Sequence, residues 1–314
     1  MAGTKTALFS RKTPGGVFNV EDQSMTTGDR WFVHSGTGTD GAGYGQHPDS
    51  PCATIDYAIG LATASQGDIV FVMPGHAETI AAAGIIVDKI GLSIIGLGHD
   101  RNRPTITFNA TTSDIDVTAT DVLIKNLRCL STVNNLAKFV DAQVGRMTIE
   151  DCEFITTSTC EAYCFILLTT TKDDWVIRGC RFIQPTDPEG TDGNASQGCI
   201  YFEDCLNILI EDCVFIGEFE TSIIHNKTTK TGNLWIKNCY GEQALAGADV
   251  MTLVAASTGG MVRCSWNVPD AADATESNFV TLAADTPFGF HDTTFMLDNN
   301  AGGNLAIAVT AAAS

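Results

Sequence analysis

One short pattern limits what this chain can fold into: an apolar residue, any residue, Asp or Asn, Cys, any residue, an aromatic. The clearest copies are Ile149-Glu150-Asp151-Cys152-Glu153-Phe154 and Ile210-Glu211-Asp212-Cys213-Val214-Phe215, with Ile177-Arg178-Gly179-Cys180-Arg181-Phe182 a third. Ile236-Lys237-Asn238-Cys239 continues the series, Met261-Val262-Arg263-Cys264-Ser265-Trp266 is looser, and Phe290-His291-Asp292-Thr293-Thr294-Phe295 closes it. Upstream, Ile124-Lys125-Asn126-Leu127 and Ile94-Ile95-Gly96-Leu97 fit the same frame. The copies begin 30, 25, 28, 33, 26, 25 and 29 residues apart, a mean of 28. A fixed motif with insertions of variable length is the signature of a solenoid with surface loops.

Within each copy the apolar positions alternate, so the segments are strands. Ile149 points inward, as do Cys152 and Phe154, and the alternation slips by one residue at Asp151. Such a slip needs a tight bend with positive φ, which Gly, Asn and Asp adopt most cheaply. The bend position reads Gly96, Asn126, Asp151, Gly179, Asp212, Asn238, Arg263 and Asp292, and only Arg263 departs. Stacked coil on coil, Cys152, Cys180, Cys213, Cys239 and Cys264 form an interior ladder of small, apolar-behaving side chains.

These features define an all-β chain, a single right-handed parallel β-helix of about eight to nine coils. Hydrophobic residues are 44% of the chain and charged residues 18%, ample for a large core. The expected organisation is an N-terminal arm over 1–50, a capping helix over 51–66, the β-helix over 67–298 and a tail over 299–314. The arm is loop-like in composition, as in His34-Ser35-Gly36-Thr37-Gly38-Thr39-Asp40-Gly41. Apolar Ile55, Ala58, Ile59 and Ala62 mark the helix, placed to plug an open strand edge. A last strand is expected over 305–309.

Lys and Arg total 18 against 37 Asp and Glu, a formal charge of −19. Such a surface repels nucleic-acid phosphates and anionic membranes, so neither is expected as a partner. The 11 cysteines cannot all pair, and Met1 to Gly16 has no signal-peptide-like apolar run. Folding in a reducing cytoplasm is the expectation.

The run Pro51-Cys52-Ala53-Thr54-Ile55-Asp56-Tyr57-Ala58, followed by Gly67-Asp68-Ile69-Val70-Phe71-Val72-Met73-Pro74-Gly75-His76-Ala77-Glu78-Thr79-Ile80, resembles the opening of pectate-lyase-like right-handed β-helix proteins. The Ile-x-Asp-Cys-x-Phe coils are similar to their stacked interior and Asn ladder. That superfamily includes polysaccharide lyases, glycoside hydrolases, and phage tail-spike and head-decoration proteins, so fold does not choose the activity. The resemblance implies, as its phage branch, a non-enzymatic virion structural protein assembled in the host cytoplasm. A homotrimeric capsid (head) decoration protein is the first expectation, held to other virion proteins through its N-terminal arm. The alternative is a tail-spike, or a free polysaccharide lyase or glycoside hydrolase acting on a surface glycan. No cofactor and no metal are expected.

Glu150 and Glu211 occupy equivalent outward positions two coils apart, with Arg178 between them. Two carboxylates can flank a glycosidic bond as acid and base. The same three residues also make an ordinary cross-strand charge ladder. Asp173-Asp174 and Glu203-Asp204 are placed in or near loops, where oxygen ligands could meet a cation. His34, His47, His76, His99, His225 and His291 are scattered without metal-ligand spacing, and Cys160 and Cys164 have no partner pair nearby. Trp31, Trp175, Trp235 and Trp266 could stack on sugars or pack in core and rim. The sequence shows no basic cluster.

Overall fold

The computed structural model describes residues 26, 28–82, 84–157, 160–169, 173–185, 198–227, 229–243, 248–268, 280–283 and 285–297, with the strands Ser10–Arg11, Phe18–Asn19 and Ile307–Val309. Residues 1–25 of the arm expected over 1–50, and the tail from 299, therefore lie largely outside the described residues.

Three parallel sheets of 10, 9 and 9 strands wrap one core, each coil contributing a strand to each sheet. The first sheet runs from Arg30–Val33 to Phe288–His291, the second from Ala77–Ile80 to Thr294–Leu297, and the third from Ile85–Val87 to Ile307–Val309. The motif sets the register: Ile94, Ile124, Ile149, Ile177, Ile210, Ile236, Met261 and Phe290 are successive partners across the first sheet.

The bend joins the first sheet to the second. Asn126, Asp151, Gly179, Asp212, Asn238, Arg263 and Asp292 have φ of 57°, 55°, 64°, 55°, 54°, 51° and 49°. Each bend N–H donates to the residue before the next bend, as Asn126 to Glu150 O, Asp151 to Arg178 O and Gly179 to Glu211 O, all at 2.9 Å. From Asn126 to Arg263 the ladder of bend donors thus crosses the corner from coil to coil. Gly96 is the exception: it ends the strand Ser93–Gly96 without positive φ, and the left-handed residue is Gly98, at 95°. Asn126 Nδ2 caps both carbonyls, donating to Gly96 O and Gly98 O at 2.8 Å.

A second left-handed ladder lies at the entry to the first sheet, three residues before the first six motif starts. Gly91, Asp121, Arg146, Asp174, Asn207 and Asn233 occupy it, with φ between 56° and 76°. Sequence reading missed it, although five of these six are Gly, Asp or Asn at a constant offset.

Inside, Phe154, Phe182 and Phe215 stack with centroids 5.2 and 4.9 Å apart and rings nearly parallel. The ladder cysteines are all buried and free. Each thiol donates to two carbonyls, one two residues back and one on the motif's first residue in the preceding coil. Cys213 reaches Glu211 O at 3.2 Å and Ile177 O at 3.6 Å, and Cys152, Cys180, Cys239 and Cys264 repeat the arrangement. Thr293 takes the same place in the last copy, with Oγ1 on Met261 O and His291 O. The ladder position therefore wants a compact side chain carrying a donor, which Cys supplies with little polarity.

The N-terminal end differs from a plain loop over 1–50. Arg30–Val33 is a strand, paired in parallel with Ile69–Val72, so the first sheet begins well before residue 67. The helix is Ile55–Leu61, N-capped by Thr54 Oγ1, with Ile55, Ala58 and Ile59 buried. It is tied to the first strands of the other two sheets: Ile55 N–H donates to Glu78 Oε2 at 3.0 Å, and Ile86 N–H to Asp56 Oδ1 at 3.1 Å. Two edges that would otherwise invite pairing are thereby occupied.

Candidate functional site

The outer faces of the three sheets carry three different charge arrangements, each set by strand register. On the first sheet Lys125, Glu150, Arg178, Glu211 and Lys237 are successive partners in one outward row. Lys125 Nζ lies 3.2 Å from Glu150 Oε1, and Arg178 Nε donates to Glu211 Oε2 at 3.1 Å. The structure thus brings Glu150, Arg178 and Glu211 together, in an alternating ladder where each carboxylate has a cation in a neighbouring coil. Exposed pairs of this kind contribute about 0.2–1 kcal/mol each.

The second sheet holds a basic cluster, contrary to the sequence expectation. Arg103, Arg128 and Arg181 converge on Glu153, at 3.3, 2.8 and 3.7 Å. Arg128, Glu153 and Arg181 are direct partners on adjacent strands, and Arg103 enters from the preceding turn. Three guanidinium groups against one carboxylate leave a local positive excess in a chain of charge −19. Sequence reading missed it because Arg103, Arg128 and Arg181 are separated by 25 and 53 residues.

The third sheet carries the acidic counterpart. Asp116 and Asp141 are cross-strand partners. Lys138 Nζ sits 2.7 Å from Asp141 Oδ2 and 3.7 Å from Asp114 Oδ2, and Gln143 Nε2 donates to Asp116 Oδ1 at 2.7 Å. Burial raises the Asp114 carboxyl above its ordinary range; burial, and then the Asp141 charge, does the same for Asp116. A carboxyl held toward its protonated form beside one paired with a lysine is an acid–base arrangement. The available signal was Ile115-Asp116-Val117 and Val140-Asp141-Ala142, apolar–Asp–apolar triplets 25 residues apart.

Further along this face the Tyr201 and His225 rings lie 4.7 Å apart. Burial raises the Tyr201 hydroxyl, while burial and Lys227 lower His225. Glu203 pairs with Lys227 at 3.2 Å, and Asp204 takes a left-handed bend. Asp173 opens the strand Asp173–Arg178 and accepts from Leu206 N–H at 3.2 Å, while Asp174 accepts from Asn207 Nδ2 at 2.9 Å. Both acidic pairs are therefore engaged by neighbouring coils. A shallow depression between Thr120, Arg146 and Asp174 has a volume of about 250 Å³, below the roughly 300–1,000 Å³ of small-molecule sites.

His76 is buried, with Nδ1 accepting from Ser35 N–H at 3.0 Å and Nε2 at 3.1 Å from Glu78, which ties the Arg30–Val33 segment to the second sheet. Among the described residues no group of three or more His, Cys, Asp or Glu side chains is placed to hold a metal ion. Trp31, Trp175 and Trp266 are buried, and Trp235 is exposed, its indole N–H donating to Asn233 Oδ1 at 2.7 Å.

No family model matches this sequence, and no curated protein matches it. Solved structures do. A pectin methylesterase from Aspergillus niger aligns with a TM-score of 0.53 at 14% identity, covering 92% of this chain and 93% of that one. A rhamnogalacturonan lyase aligns with a TM-score of 0.52 at 11% identity, covering 91% and 87%. At these identities the likeness shows the fold alone, a parallel β-helix.

Proposed function

We propose that this chain is a non-enzymatic structural subunit of a phage virion. It is a β-helix displayed on the capsid head as a decoration protein, homotrimeric and joined to other virion proteins through its N-terminal arm. The observation that carries this reading is the row Lys125–Glu150–Arg178–Glu211–Lys237. Its carboxylates are paired with cations of neighbouring coils, the cross-strand charge ladder of a stiffened, exposed sheet face. The chain's acidic surface also suits display on a particle, since like-charged neighbours do not aggregate. Deleting residues 1–25, which spares the strand Arg30–Val33, tests the docking role. The truncated chain should fold with an unchanged circular dichroism spectrum and fail to sediment with particles. Undiminished co-sedimentation would refute docking through the arm.

A second reading has one observation in its favour. The stacked Asp116 and Asp141, with Asp116 raised by burial, would suit a hydrolase or lyase acting on a surface glycan, whether free or as a tail-spike. Release of reducing sugar or of an ester acid from host-surface polysaccharide, abolished by Asp116→Asn, would establish it; no turnover would count against it.

A further inference from the structure

The outer face of the second sheet carries a stripe that a solvated face does not need. Leu130, Ile155, Ile183 and Ile216 are successive partners on four adjacent strands and all point outward, partly exposed. Their inward neighbours Cys129, Phe154, Phe182 and Phe215 are buried in the core. These strands are therefore apolar on both faces, the pattern of a sheet covered on both sides. The stripe runs about 14 Å along the solenoid at the strand spacing of a sheet. Beside it, two residues nearer each strand's start, lie Arg128, Glu153 and Arg181, with Arg103 adjoining.

An apolar stripe flanked by excess positive charge calls for a partner surface that is flat, part apolar and acidic. The chain carries one itself. On the third sheet Asp114, Asp116 and Asp141 outnumber Lys138, and the row Ile86–Asp116–Asp141–Leu167 continues with apolar residues at both ends. The coil holding Asp114 and Asp116 runs on into Arg128, and the coil holding Asp141 runs on into Glu153. In parallel copies standing side by side, the two patches therefore lie at the same height.

We infer that copies of this chain associate side by side and in parallel, the second sheet of one against the third sheet of the next. The aliphatic stripe packs on the neighbour's Ile86 and Leu167, and the arginine cluster faces the neighbour's Asp114–Asp116–Asp141 group. The contact joins unlike faces, and repeated by a three-fold rotation it closes into a ring. This rests on the homotrimeric part of the proposed function and gives it an interface. It also covers Asp116 and Asp141, so it excludes the glycan-enzyme reading at that pair.

Unlike faces make a mixing experiment decisive. Ile183→Glu blocks the second-sheet face and Asp116→Arg the third-sheet face. Light scattering on the full chain at tens of micromolar should give about 100 kDa for the wild type, three times the 33.3 kDa of one chain. Each variant alone should run as a monomer with an unchanged circular dichroism spectrum and a cooperative melt, at a temperature lowered by the loss of the subunit contact. Mixed, the two should form a one-to-one dimer, because one good copy of each face remains. A monomeric wild type, an oligomer that survives either substitution, or variants that stay monomeric on mixing would overturn the inference. Should either variant fail the folding controls, Leu130→Lys for the second-sheet face and Ile86→Lys for the third-sheet face serve as replacements under the same criteria. Absence of the chain from particles would leave these masses unchanged, so the two readings fail separately.

Discussion

Gly241 and Trp266 share one space in the interior stack. They are partners on adjacent strands of the second sheet, and a Cβ on Gly241 would fall 2.1 Å from the Trp266 ring. The missing side chain lets the indole lean down to Phe215, with ring centroids 5.8 Å apart, so the column closes without a void. Trp266 Nε1 also donates to Met261 Sδ at 3.0 Å, giving the buried indole a partner. Gly241→Ala should therefore cost about 1–3 kcal/mol through overpacking. Urea unfolding checks it, and a neutral result would show that the indole has room to move.

At the first corner Arg263 holds a left-handed bend that its neighbours give to Asn and Asp. Its φ is 51°, and its Nε donates to Asn238 Oδ1 at 2.9 Å across an exposed surface. Left-handed backbone costs a long side chain roughly 1–2 kcal/mol, and an exposed hydrogen bond recovers only part of that. Arg263→Asn should stabilise the chain by about 0.5–1 kcal/mol, a melting temperature rise of roughly 1–3 °C for a chain this long. Asn126→Ala runs the other way, since it loses two carbonyl caps and the left-handed preference; a loss of about 2 kcal/mol is expected.

Thiol chemistry separates a packing ladder from a reactive one. Burial raises Cys180, Cys129 and Cys199 far above the ordinary thiol range and pushes Cys164 to about 12. With every thiol buried, the native chain should resist iodoacetamide at pH 8, and all 11 cysteines should react once it is unfolded. Cys213→Ala should cost about 1–3 kcal/mol by leaving Glu211 O and Ile177 O without the thiol. Cys213→Thr, copying Thr293, should recover part of that loss.

Legibility in the sequence followed the interior. Ile149, Cys152 and Phe154 repeat because each must fit between identical neighbours, and a repeated constraint is visible in one dimension. The outer faces are not so constrained. Arg103, Arg128 and Arg181 meet at Glu153 only because the coils between them are 25 and 28 residues long, and those lengths become contacts only when the register is known. Glu150, Arg178 and Glu211 were legible because they sit inside the motif itself. Asp116 and Asp141 lie in a part of the coil with no long motif, and their apolar–Asp–apolar triplets were too weak a repeat to stand out. Gly96 misled because Gly is permitted in a left-handed bend without requiring one.

The Asp116 carboxyl gives a pH signature. Its folded pKa lies above the ordinary 3.8, burial first and the Asp141 charge second. The folded state therefore binds its proton more tightly than the unfolded chain does. The ionised form costs stability at neutral pH, and that cost is relieved as pH falls through the folded pKa toward 3.8. In the monomeric Ile183→Glu background, where no neighbour faces it, Asp116→Asn should be the more stable at pH 7, with the advantage vanishing near pH 3.8. Parallel thermal melts across that range check the sign, and a variant less stable at pH 7 would contradict it.

The central claim is that this β-helix is part of a particle. Its most direct test is the copy number of the chain in virions purified from the producing lysate on a density gradient, quantified by mass spectrometry against the major shell protein. The account predicts a fixed ratio approaching that of the shell protein, as a head-decoration subunit requires. A low fixed ratio would move the chain to a tail or vertex spike. Absence from purified particles would contradict the account.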